Sequence, residues 1–221
     1  MLSLSNLNYQ VGKFSLGPIN LELQSNVAYG LCGANGVGKS TLLRILSGVL
    51  KADTGEIYYH KKTIAPHDIF YIPQIFYCEN SYLLVSEFLD DILTYRERNK
   101  DDRFTELSDK MKVTQLLGSN LAGVSGGESK RLLLFLATVL KPKILLLDEF
   151  EAHLDPKYKV ELSSFLHDLK RDSLVISATH DKEHIKEYCD EILYLKDDRI
   201  HGPVKKDVFF EKHMFEEIYE I

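Results

Sequence analysis

Residues 31–46, LCGANGVGKSTLLRIL, set three glycines and a lysine between an apolar run and a leucine-rich run. Gly33-Ala34-Asn35-Gly36-Val37-Gly38-Lys39-Ser40 fits the pattern G-x-x-x-x-G-K-[ST] at every fixed position, and its flanks read as a buried strand and a helix, the context the motif requires. Glycines let backbone N–H groups curl around phosphate oxygens, and the helix that follows points its positive end at them. Lys39 neutralises the β- and γ-phosphates, and Ser40 is placed to ligate Mg²⁺. A chain built around such a loop is committed to a strand–loop–helix core. An unrelated glycine turn would not explain the full match.

The rest of the chain agrees. MLSLSNL, INLELQ and GEIYY carry alternating or β-branched positions and read as strands of an antiparallel sheet, whereas NVAYGLC is apolar throughout, as a strand buried on both faces would be. Leu42, Ile45, Leu46 and Val49 recur at helical spacing, with Gly48 as the terminator. Residues 82–122 show helical spacing and strong charge and form an expected small helical subdomain. From residue 123 onward helices (128–140, 157–170, 181–188) alternate with the strands KILLLD, LVISAT and EILYL, which implies a mainly parallel sheet covered by helices. The expected fold is α/β: a phosphate-loop NTPase core with a mainly parallel sheet, an N-terminal antiparallel β subdomain and a small helical subdomain, all in one unit over residues 1–221.

ILLLDE at 144–149 is a buried strand ending in two acids. Asp148 can hold the Mg²⁺ shell, and Glu149 can orient or deprotonate a water for attack on the γ-phosphate. A strand that merely exits into solvent would also end in acids, but the upstream loop gives the pair a partner. VSGGE at 124–128 places Ser125, Gly126 and Gly127 ahead of a long apolar helix, a second helix N-terminus suited to an anion. A plain cap explains the serine but not two adjacent glycines.

Bulk properties bound the alternatives. The 221 residues are 44% hydrophobic and 27% charged, enough for a real core, and the net charge of −6 offers no global field for nucleic acid or an anionic membrane. Cys32, Cys78 and Cys189 form no C-x-x-C pair, so neither a disulfide framework nor a zinc site is expected, and a reducing cytoplasm fits best. Cys32 reads as a small buried hydrophobe. The first residues show no signal peptide, and the longest apolar run, LLLFLATVL at 132–140, is about half the ~18 residues needed to cross a bilayer.

At this combination the chain resembles, over essentially its whole length, the ATP-binding subunits of ABC transporters. GANGVGKST is similar to the Walker A loop, YIPQ ending in Gln74 to the Q-loop, VSGGE to the signature motif and ILLLDE to Walker B. HLD ending in Asp155 is similar to the D-loop, and SATHD supplies His180 as the switch histidine. Singly each of these last three residues is ordinary: a polar strand end, an N-cap before Pro156, a helix cap. Their joint order is specific.

The resemblance implies ATP and Mg²⁺ as ligands and hydrolysis that drives transport through a separate membrane-spanning partner, with the chain peripheral on the cytoplasmic face. ATP would be held by Gly33, Ala34, Asn35, Gly36, Val37, Gly38, Lys39, Ser40 and Thr41, and metal by Ser40, Gln74 and Asp148. Glu149, His180 and Gln74 would serve catalysis. The working unit would be a homodimer or heterodimer of such subunits, head to tail, each ATP completed in trans by Ser125, Gly126, Gly127, Glu128 and Asp155. The segment after Gln74, with Phe76, Tyr77, Tyr82 and Leu83 around Glu79-Asn80-Ser81, would receive a helix of the membrane subunit. No nucleic acid partner is expected.

Several positions depart from the pattern. Val124 and Glu128 stand where leucine and glutamine are commonest, and the glutamate adds negative charge at the nucleotide edge. Phe150 replaces the usual proline, leaving the turn after Glu149 less fixed. The adenine-stacking aromatic usual before Gly12 is Val11, with Tyr9 two residues earlier. Two other classes fit the chain less well. Soluble relatives acting in translation or repair carry two cassettes or a long inserted coiled coil, and this chain has neither. A phosphate-loop kinase would leave SGGE and SATHD unexplained.

Overall fold

A computed structural model of the chain describes residues 1–78, 82–95, 102–152 and 156–219. Strands β1 (Leu2–Val11), β2 (Phe14–Leu23), β4 (Thr54–Tyr59) and β5 (Lys62–Thr63) form an antiparallel sheet in the order β2-β1-β4-β5. The second sheet has six strands in the order β10-β9-β3-β8-β7-β6. It contains β3 (Ala28–Cys32), β6 (Ile69–Ile72), β7 (Ile144–Asp148), β8 (Leu174–Ala178), β9 (Glu191–Lys196) and β10 (Arg199–Lys205). The pairs β3–β8, β3–β9, β6–β7 and β7–β8 are parallel, and β10 adds an antiparallel edge.

Because side chains alternate across a strand, each central strand feeds two cores. Ile144 and Leu146 of β7 join Tyr29, Leu31, Leu42, Leu43 and the inner residues of the antiparallel sheet. Leu145 and Leu147 turn the other way, toward Leu132, Phe135, Leu136 and the helical region after Gln74. Helix α1 (Lys39–Leu46) lies on the first face. Helix α4 (Gly126–Leu140) lies on the second, and its run Leu132–Ala137 is buried on every side, as expected of a helix enclosed by a sheet and further helices.

The helical region contains α2 (Val85–Tyr95), α3 (Asp102–Lys110) and two short 3₁₀ turns. Its two ends are tied together by Val85 N–H to the Ser119 carbonyl (3.0 Å) and Leu121 N–H to the Leu83 carbonyl (2.8 Å). Phe104 of α3 meets Phe135 of α4 edge-on at 5.0 Å, so this region shares the core beneath α4. Helix α5 (Pro156–Leu169) and α6 (Lys182–Tyr188) complete that face, followed by α7 (Lys206–Glu211) and α8 (Met214–Tyr219). No helix among the described residues is long and apolar enough to cross a membrane.

Differences from the sequence expectations have local causes. The helix expected at 128–140 begins at Gly126, because Ser125 caps it and Glu128 closes a capping box. Val49 lies beyond the end of α1 and is exposed, since Gly48 takes φ 78° and breaks the helix before it. Strands β5 and β10 and helices α7 and α8 were not foreseen, and β6 only as the strand end at Gln74; β5 has two residues, β6 four and each of the two helices six, too few to establish a period.

Candidate active site

The phosphate loop leaves β3 at Cys32 and enters α1 at Lys39. Gly33, Gly36 and Gly38 take φ of 147°, 79° and 111°, a run that L side chains resist. At Gly38 there is no room either: a Cβ there would sit 2.8 Å from the Phe14 ring. Lys39 is buried beneath the loop, its ammonium donating to the carbonyls of Gly33 (2.7 Å) and Ala34 (3.0 Å). Burial lowers the Lys39 pKa, while the carboxylates of Glu149 and Asp148 oppose that shift.

Parallel pairing of β7 between β6 and β8 brings the carboxylates to the loop. Asp148, at the C-terminal end of β7 and 1% exposed, accepts from the Ser40 hydroxyl at 2.8 Å and from the Tyr71 hydroxyl at 3.0 Å. Burial and the adjacent Asp148 push the Tyr71 phenol up to about 12, so it stays a donor. A serine hydroxyl and a carboxylate oxygen held side by side at a phosphate loop are the hard oxygen donors that Mg²⁺ takes. The next residue, Glu149, accepts from Gln74 Nε2 at 2.6 Å and faces His180 Nδ1 at 3.6 Å. Ser40, Asp148, Glu149, Gln74 and His180 therefore converge from four separate segments.

The turn after β7 is fixed by contacts absent from the expectations. Glu149 takes φ 44°, and its N–H bonds the Ala178 carbonyl of β8 at 2.9 Å. Phe150 is buried in the core beneath α4, so its ring packs at the position where a proline would have restricted the turn. Lys130 of α4, buried, donates to the carbonyls of Glu149 (3.0 Å) and Ala152 (2.6 Å). Glu151, 5% exposed, accepts from the Thr179 hydroxyl, and burial raises its carboxyl to about 7.

The signature segment lies at the N-terminus of α4. Ser125 donates from its N–H (2.9 Å) and its hydroxyl (2.6 Å) to Glu128 Oε2, and Glu128 N–H donates back to the Ser125 hydroxyl at 3.4 Å. These bonds lower the Glu128 pKa and close the motif on itself, with Ser125 and Gly126 exposed. Asp155 lies outside the described residues, as do Glu79, Asn80 and Ser81. Val11 is exposed at the end of β1, and Tyr9 is half-buried against the core shared with Phe14. Phe14 pairs with Val11 across the turn. Phe76 packs on Phe88 of α2 with ring centroids 5.8 Å apart, whereas Tyr77 and Tyr82 are 78% and 87% exposed. Of that aromatic cluster, Phe76 serves the subdomain's core and the two tyrosines face outward.

A glycine loop feeding a helix from the C-terminal edge of a parallel sheet, with a serine–aspartate pair beneath it, defines a phosphate-loop nucleotide-binding domain. The family model described as ABC transporter matches residues 16–152. The sulfate/thiosulfate import ATP-binding protein CysA of Pectobacterium atrosepticum is 32% identical over 210 residues, 88% of this chain and 63% of its own length. The zinc import ATP-binding protein ZnuC of Psychrobacter arcticus is 34% identical over 171 residues, 76% of this chain and 68% of its own length. The structure of cbiO1 from Clostridium perfringens, part of the ABC transporter complex cbiONQ, superposes with a TM-score of 0.70 at 26% identity, covering 98% of this chain and 93% of that one. The chain belongs to the ABC transporter family, as an ATP-binding domain of it. It spans less than two thirds of the CysA sequence.

Proposed function

We propose that this chain binds and hydrolyses ATP as a dimer and drives transport through a separate membrane-spanning partner, on the cytoplasmic face of the membrane. The observation that carries the reading is the convergence of Gln74, Glu149 and His180 beside the Ser40–Asp148 pair. Gly33, Ala34, Asn35, Gly36, Val37, Gly38 and Thr41 line the phosphate cradle, with Lys39 as its cation. Ser40, Asp148 and Gln74 would hold Mg²⁺, which when bound offsets phosphate charge. Glu149 takes the proton of the attacking water, Gln74 orients that carboxylate, and His180 stands on its other side, positioned to hydrogen-bond the γ-phosphate. Ser125, Gly126, Gly127 and Glu128, exposed or half-buried on α4, supply the trans surface together with Asp155. Adenine is taken up beside Tyr9 and Val11.

Relatives named for sulfate/thiosulfate import and for zinc import match this chain comparably. That cbiO1 is part of a named complex supports work with separate membrane components. Tyr77 and Tyr82, both exposed, are the proposed contact with the membrane subunit. The test compares wild type with Lys39→Ala for hydrolysis of Mg·ATP under one condition, and asks whether a multi-span membrane protein co-purifies from detergent extracts. Near-normal hydrolysis by Lys39→Ala contradicts the assignment of the loop; no membrane partner contradicts the transport role.

A further inference from the structure

The C-terminal helix reaches the site without belonging to any motif. Tyr219, at the end of α8, places its hydroxyl between two loops: it accepts from the Gly33 N–H at 3.3 Å and donates to the Thr179 carbonyl at 3.0 Å. Gly33 opens the phosphate loop, and Thr179 directly precedes His180. The helix is pinned on both sides of the same seam. Glu216 pairs with Lys182 at the start of α6 at 2.5 Å, and Glu217 pairs with Lys196 at the end of β9 at 2.8 Å. The Tyr219 ring packs on buried Phe215 with centroids 4.7 Å apart, which aims the hydroxyl. Thr179 is held from its other side as well, its hydroxyl donating to Glu151 and accepting from the Asp181 N–H at 2.9 Å.

We infer that Tyr219 is a positioning residue for ATP hydrolysis, acting through Gly33 and Thr179 to fix the phosphate loop and the His180 loop in one register. The inference rests on the proposed ATPase reading. An aromatic ring that only filled space beneath the seam would do as well without its hydroxyl; here the hydroxyl uses its donor and an acceptor site on backbone groups of two different loops. The two loops must present Lys39 and His180 to the same γ-phosphate, and a misplacement on the order of 1 Å is enough to slow such chemistry.

The test uses the full chain as wild type, Tyr219→Phe, Tyr219→Ala and Lys39→Ala. Steady-state kcat and KM for Mg·ATP, melting temperature, and amide hydrogen exchange at Gly33 are measured for each. Tyr219→Phe keeps the ring and loses the hydroxyl. It should melt within about 2 °C of wild type and keep KM within about twofold, while kcat falls about fivefold and Gly33 exchanges about fivefold faster, the scale of one hydrogen bond. Tyr219→Ala should lose melting temperature as well. A Tyr219→Phe protein with unchanged kcat and exchange overturns the inference, as does one whose losses merely track a melting-temperature drop equal to that of Tyr219→Ala. If wild type hydrolyses ATP no faster than Lys39→Ala, the proposed function fails and the positioning role with it, while exchange at Gly33 still reports whether the tether exists.

Discussion

Gln74 and Glu149, seventy-five residues apart in sequence, meet through a 2.6 Å hydrogen bond in which the Gln74 amide donates to Oε2 of the carboxylate. His180 faces the other oxygen at 3.6 Å. Glu149 is thus gripped from the strand that leads toward the exposed tyrosines and from the strand that ends at the His180 loop. Movement of either segment changes the orientation of the carboxylate, which gives the site a physical route for coupling hydrolysis to a docked partner.

Gly38→Ala should weaken nucleotide binding at least tenfold, because the new Cβ meets both a φ of 111° and the Phe14 ring at 2.8 Å. Gly36→Ala meets no atom within 4 Å and suffers only its φ of 79°, so its loss should be smaller. Titration of both variants with a fluorescent ATP analogue checks the order.

Lys130→Met keeps the aliphatic stem and removes the two hydrogen bonds to the carbonyls of Glu149 and Ala152. Leaving these carbonyls unpaired should cost about 1–3 kcal/mol of stability. Because the turn that carries Glu149 loses its clamp, kcat should fall with it. Urea unfolding and steady-state hydrolysis measure the two effects on the same preparation.

Glu151 makes stability depend on pH. Its folded pKa, raised by burial from 4.5 to about 7, means the folded chain holds a proton that the unfolded chain releases. The stabilisation is complete below pH 4.5 and is lost as pH rises through about 7, roughly 3 kcal/mol in all and about 1 kcal/mol of it between pH 6 and pH 8. Glu151→Gln removes the titration, so its stability should gain on wild type between pH 6 and pH 8. His184, held down at about 4 by burial, is common to both proteins and cancels in the difference. A constant difference between the two unfolding curves at these pH values contradicts the buried carboxylate.

Tyr77→Ala combined with Tyr82→Ala should leave ATP affinity and melting temperature near wild type, since both side chains are exposed, and reduce co-purification with the membrane subunit. Losses of about 2 kcal/mol or more per truncated anchor are the scale expected of such contacts. Phe76→Ala should differ by lowering stability, because its ring packs on Phe88.

What the sequence showed and what it hid divide along a physical line. The phosphate loop was legible because its spacing is fixed by local backbone geometry, and β7 because a buried parallel strand is apolar throughout. Ser125 was legible as a cap, and its three-residue spacing to Glu128 is itself the pattern of a capping box, which the structure shows closed. Tyr71, Lys130, Glu151 and Tyr219 left no signal, since each acts across elements distant in sequence, and Lys130 and Tyr219 address backbone carbonyls that any residue provides. Tyr71 reaches Asp148 only through the parallel register, which pairs it with Leu146, two residues before Asp148 on the neighbouring strand.

The measurement closest to the central claim is phosphate release from Mg·ATP by wild type and by Glu149→Gln at saturating, verified nucleotide occupancy. The amide keeps the shape and the contact with Gln74 while removing the base, so binding should stay within about threefold of wild type and release should fall on the order of a hundredfold or more. Undiminished release by Glu149→Gln with nucleotide fully bound would contradict the assignment of Glu149 and, with it, the site as an ATP-hydrolysing centre.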